Sequence, residues 1–218
     1  MVGVGALASA QVPGHNIIYT PADISIDTRL LRSTLIPIKF DHGANANFYL
    51  GAAHFTDFFS GGLGFAAYGR LYLSAGNVAI GSHAIPKGEI VDKAGTFKSV
   101  MQTLVYATSG SYKGATHKGA QGAFQNITNK YLGVHISING QVHEGWIRMT
   151  IACTGADVKG AISGYAYDTV PNEVGLAAGQ IGGKVGAAAR ERVMVDEAMP
   201  ASRGVLAAGS SAIPYWRQ

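Results

Sequence analysis

From residue 16 to about residue 180, short runs of alternating apolar and polar residues recur, each closed by glycine, proline, asparagine or serine. The runs are IIYTPADISIDTRL, STLIPIKFDHGANANFYL, GFAAYGRLYLS, NVAIGS, TFKSVMQTLVYAT, KYLGVHISI, VHEGWIRMTIA and VKGAISGYAYDTV. They are rich in Ile, Val, Tyr, Thr and Phe, and a period of two in such residues predicts strands with one face buried. The fold expected is all-β: an antiparallel β-sandwich, jelly-roll-like, over residues 16–180, with an irregular C-terminal tail over 181–218. Pro86 and Gly88 end any helix in HAIPKGEI, and SGSYKGATHKGAQGAFQNITNK, polar and glycine-rich, predicts a long surface loop. IGGKVGAAARERVMVDEAM has weak helical content over Val185–Met199, too rich in glycine to hold a helix alone.

The strongest local signal is Asn139-Gly140, between two alternating runs in YLGVHISINGQVHEGWIRMTI. Both residues tolerate the positive φ of a type I′ turn, so a two-residue hairpin is expected. Its register pairs Ile138 with Gln141, Ile136 with His143, His135 with Glu144, Gly133 with Trp146 and Tyr131 with Arg148. Alternation then sorts the side chains into two faces. One carries Leu132, Val134, Ile136, Ile138, His143, Ile147, Met149 and Ile151. The other, a polar face, carries His135, Glu144, Trp146, Arg148 and Thr150. The two histidines point to opposite sides and cannot chelate one ion from this hairpin. The polar face is expected to hold cross-strand pairs: His135 with Glu144, the Trp146 indole over Gly133, and Arg148 beside the Tyr131 ring.

Composition narrows the class. The chain has 218 residues, enough for one sizeable core; 14% are charged and 30 are glycine, which suits an exported all-β protein better than a cytosolic enzyme. The net charge of +4 is dispersed without a basic run, so no nucleic-acid partner is expected. Cys153 is the single cysteine and has no internal disulfide partner; it is read as a small strand residue. No apolar run is long enough for a transmembrane helix. Ala8-Ser9-Ala10 before Gln11 has the small-x-small form of a signal-peptidase site, so residues 1–15 are either a signal-peptide remnant or a flexible N-terminus.

Sequence signatures of catalysis are sparse. Gly62-Leu63-Gly64-Phe65-Ala66-Ala67 imitates a dinucleotide fingerprint, but a strand follows it where the chemistry needs a helix N-terminus. No nucleophile elbow, zincin, phosphate loop or paired Cys-x-x-Cys occurs. A hydrolytic site built from His54, Asp57 and His83 has no spacing in its favour. No catalytic residue and no cofactor is therefore assigned, and the chain is read as not an enzyme.

The segments NKYLGVHISINGQVHEGWIRMTI and GYAYDTVPNEVGLAAGQ resemble the C-terminal half of a family of exported bacterial proteins of the acidobacterial type, related to proteins with PEP-CTERM sorting signals. The shared pattern falls on His143, Gly145, Trp146, Arg148, Tyr165, Ala166, Tyr167, Asp168 and Pro171. It covers roughly the last 90 residues. The ending PASRGVLAAGSSAIPYWRQ is similar to a degenerate sorting signal, lacking Pro-Glu-Pro and the basic cluster. Relatives carry an Asp/Asn-rich turn able to bind calcium. The matching Asp41, Asn45 and Asn47 supply one carboxylate where calcium takes six to eight oxygens, several of them charged, so an Asx-rich turn is the plainer reading and no metal is assigned. The resemblance implies an extracellular or outer cell-surface location in a bacterium that makes polysaccharide.

The function expected is an exported, non-enzymatic cell-surface or extracellular-matrix structural protein, a homo-oligomer or polymer joined through strand edges or by the tail. The alternative is a carbohydrate-binding module with an aromatic platform around Trp146, in contact with extracellular polysaccharide. Ligand or interface candidates are Trp146, Arg148, His135, Glu144, Tyr165 and Tyr167.

Overall fold

The computed structural model describes residues 17–31, 34–40, 47–58, 64–74, 78–112, 115–172, 175–182 and 193–194. The N-terminal segment, Asp41, Asn45 and most of the tail, Trp216 and Arg217 included, lie outside them. Among the described residues ten longer strands form: β1 (Ile17–Asp27), β2 (Thr34–Ile38), β3 (Phe48–Phe58), β4 (Gly64–Ser74), β5 (Val78–Ile85), β6 (Gln102–Tyr112), β7 (Ala115–Gln121), β8 (Ile127–Ile138), β9 (Gln141–Thr154) and β10 (Asp157–Asp168). A single helical turn, α1 (Thr28–Leu31), follows β1, and a 3₁₀ turn (Val91–Ala94) follows β5. Two short strands, β11 (Gln180–Gly182) and β12 (Val193–Met194), pair with each other.

The strands make two five-stranded antiparallel sheets, ordered β1-β10-β9-β8-β5 and β2-β3-β4-β6-β7. The fold is all-β, as the alternation predicts. Proline cannot donate to a ladder and is confined to sheet edges. Accordingly Pro21 sits in β1 and Pro37 in β2, each the edge strand of its sheet.

One apolar core draws on both sheets. Leu132, Val134, Ile136, Ile147, Met149, Ile151 and Ile162 of the first sheet bury together with Ile38, Leu50, Ala52, Val105 and Ala107 of the second. Each such aliphatic side chain, fully buried, stabilises the fold by about 1.5–3 kcal/mol before entropy is charged against it. Phe40 crosses between the sheets, meeting the Tyr165 ring edge-on at 5.0 Å and Tyr167 at 6.3 Å. Asn47 fixes the approach to Phe40: its Oδ1 accepts the Phe40 N–H at 2.6 Å, so its amide oxygen serves the turn.

The hairpin has the expected register throughout, from Ile138 opposite Gln141 to Tyr131 opposite Arg148. Asn139 and Gly140 take φ values of 52° and 78°, the left-handed pair of a type I′ turn. The polar character expected of its second face is corrected. That face carries a second apolar cluster of Ile17, Ile85, Val91, Ala94, Tyr131, Trp146, Ala166, Leu176 and Ala178. Two segments cover it, the 3₁₀ turn and a strap over residues 175–182. Val91 N–H donates to Leu176 O at 2.8 Å, and Ala178 N–H to Glu89 O at 2.8 Å, tying one to the other. Gly81 and Gly133 permit the close approach: a Cβ on either would lie 2.5 or 2.8 Å from the Ala94 methyl.

One further expectation is overturned. The glycine-rich stretch read as a loop contains the end of β6 and all of β7. β7 is an edge strand, exposed except at Ala120, so no alternation of apolar residues marks it. Gln180, the last residue of the expected domain, is fully buried, and Val193–Met194 in the segment beyond it pairs as a short strand with β11.

Candidate functional site

Asp92, His135 and Glu144 converge on the outer side of the first sheet, each offering a donor atom within 4.8 Å of the others. β8 and β9 supply His135 and Glu144 as a cross-strand pair, as the register predicts. Asp92 comes from the first turn of the 3₁₀ segment and could not be anticipated. Its partner His135 lies 43 positions away, and only the packing of Ala94 onto Gly81 and Gly133 brings them together.

The three groups differ in environment. His135 Nε2 lies 3.1 Å from Asp92 Oδ1, and the Phe97 ring stacks on the imidazole at 3.8 Å, nearly parallel. Asp92 is open to solvent, whereas Glu144 is 3% exposed. The strap holds one Glu144 oxygen: Oε2 accepts the N–H groups of Gly175 at 3.0 Å and Leu176 at 2.9 Å. Oε1 is buried without a hydrogen-bond partner, the Asp92 carboxyl facing it without a bond of standard geometry. Burial pushes the Glu144 carboxyl up to about 8, against the Leu176 N–H, and the neighbouring Asp92 carboxyl adds to the rise. Chemically the cluster is one imidazole and two carboxyl groups, one of them starved of a proton donor or cation.

The six residues singled out in the sequence do not form one site. Trp146 is fully buried, its Nε1–H donates to Gln180 O at 3.1 Å, and its indole meets the Tyr131 ring edge-on at 5.2 Å. It therefore has no face on which a sugar could stack, which corrects its assignment to an open platform. Gly133 is covered by the 3₁₀ turn, with Ala94 and Val91 nearest to it. Arg148 turns from the expected Tyr131 to Ser163, donating from Nε to Oγ at 2.6 Å. Tyr165 and Tyr167 belong to the core between the sheets, on the face opposite Trp146, and burial pushes the Tyr165 hydroxyl up. His143, also on that face, meets Asp168 O through Nδ1 at 2.9 Å.

His54 and His83 do not meet either. His54 Nε2 lies 3.4 Å from Asp157, whose carboxylate also pairs with Arg29 at 3.1 Å, beside an open cleft of about 460 Å³. His83 lies on β5 against Ser82, 3.0 Å from its hydroxyl; the side chain of Asp57 lies outside the described residues. Burial raises the Cys153 thiol above its ordinary value, which suits a packing residue and not a thiolate. No helix among the described residues is long and apolar enough to cross a membrane. No protein-family model, curated protein or solved structure matches the chain.

Proposed function

We propose that this chain is an exported, non-enzymatic structural protein of a bacterial cell surface or extracellular matrix, built on a β-sandwich and associating with copies of itself. The observation that carries the reading is the outer face of the second sheet. Leu35 on β2 and Tyr49 and Phe55 on β3 share that face by register, and all three are 40–48% exposed. Pro37 opposite Tyr49 extends the apolar row. Scattered exposed apolar residues are ordinary, but a row of large ones along adjacent strands is a candidate contact surface.

The edges of the same sheet favour the face over strand pairing. Pro37 removes a donor from β2, and Lys118 sits in β7; both features blunt an edge against adding another strand. Low charge supports association, because little like-charge repulsion opposes contact between copies. The resemblance to exported surface proteins supports the location.

The test is sedimentation velocity across a hundredfold concentration range, joined to electron microscopy. Growth of larger species, abolished by Leu35→Lys with Phe55→Lys while circular dichroism stays unchanged, is expected. A strictly monomeric species at every concentration overturns the proposal.

A further inference from the structure

We propose that Asp92, His135 and Glu144 bind one divalent transition-metal ion of the zinc class, with a coordination position left open on the Asp92 side. Three observations converge on it. The donor atoms come from three separate places in the chain and lie within 4.8 Å of one another. Glu144, 3% exposed, keeps Oε1 unpartnered although Oε2 is anchored by two backbone N–H groups, so its free oxygen is fixed in place and unsatisfied. A buried polar atom without a partner is costly, and a cation that displaces the Glu144 proton satisfies the oxygen no hydrogen bond reaches. His135 is held in its ring plane by the stacked Phe97 and presents Nε2 toward Asp92.

The geometry is close to what such an ion needs. Bonds of about 2.0–2.1 Å at tetrahedral angles place donors about 3.3–3.5 Å apart. His135 Nε2 and Asp92 Oδ1 already stand at 3.1 Å. The donor pairs that include Glu144 lie within 4.8 Å and must close by up to about 1.5 Å to reach tetrahedral spacing, and the solvent-exposed Asp92 side chain is free to move toward the ion. An imidazole ligand favours zinc and its neighbours over calcium or magnesium, which take oxygen sets. The Gly175 and Leu176 N–H groups act as the outer layer that orients the Glu144 ligand. Binding would join β8, β9, the 3₁₀ turn and the strap through one ion.

The test uses the untagged full chain, stripped with EDTA and dialysed, titrated with zinc chloride by calorimetry and with cobalt(II) by visible absorption. One ion per chain is expected, with cobalt bands of a four-coordinate site and a raised melting temperature. Asp92→Asn, on an exposed turn that does not depend on it for packing, and His135→Gln should each weaken binding by about tenfold or more. His83→Ala and His117→Ala should leave it unchanged. Calcium and magnesium at matched concentration should not displace the cobalt spectrum. Absence of heat and of cobalt bands overturns the site, and so does binding that Asp92→Asn leaves intact. If Glu144→Gln fails to fold, Asp92→Asn decides alone.

Discussion

Trp146→Ala separates a packing role from a binding role more sharply than any other single change. The indole is fully buried between the 3₁₀ turn, the strap and Tyr131. Truncating a buried tryptophan to alanine costs about 3–5 kcal/mol through lost transfer energy and the cavity left behind. Losing the hydrogen bond to Gln180 O and the edge-on contact with Tyr131 adds about 1 kcal/mol each at most, and the two are not independent of the cavity. A total near 4–6 kcal/mol is a large share of the ~5–15 kcal/mol that holds a domain together. Trp146→Phe keeps a ring for the edge-on contact with Tyr131 but deletes the N–H donor and part of the indole volume, and should cost about 1–3 kcal/mol. Urea denaturation followed by far-ultraviolet circular dichroism measures both, since the chain has only one other tryptophan and fluorescence would change with the mutation itself. The expected midpoints fall in the order unaltered, Phe, Ala, with the Ala variant displaced by about 2–3 M at a slope of about 2 kcal/mol per molar urea. An Ala variant within ~0.5 kcal/mol of the parent, the range of surface substitutions, would sink the argument and return the indole to an exposed role.

The other expectations concern the same side of the first sheet. Gly133→Ala puts a methyl 2.8 Å from the Ala94 Cβ and should destabilise by about 1–3 kcal/mol, read as a lowered melting temperature together with faster amide exchange at Val91. Glu144 retains its proton to about pH 8 in the folded chain, against 4.5 ordinarily, so between those values the unfolded state releases a proton that the folded state keeps. Stability in EDTA should therefore fall as pH rises from 4.5 to 8 and level off on either side, and Glu144→Gln should flatten that slope; an unchanged slope in urea titrations refutes the assignment. Gly140→Val places a branched residue at φ 78° and should cost about 1–2 kcal/mol or more, whereas Gly140→Asn should be mild, by the same denaturation assay.

The amino-acid sequence alone determined the antiparallel strands of the first sheet and the hairpin register to the residue. Both follow from local physics: side chains alternate every residue, and Asn139-Gly140 tolerates the left-handed backbone that a two-residue turn requires. The separation of His135 from His143 follows from the same rule. Only the tertiary structure decided which face of that hairpin is wet, because burial is a property of what arrives from elsewhere. The 3₁₀ turn and the strap turn a nominally polar face into a second core, hiding Trp146 and leaving Glu144 with an oxygen that no hydrogen bond serves. β7 escaped notice for the converse reason: an exposed edge strand is held by backbone hydrogen bonds, which leave no mark on residue type. Asp92 reaches His135 across 43 positions through contacts between glycines and an alanine methyl, and no spacing along the chain encodes such a meeting.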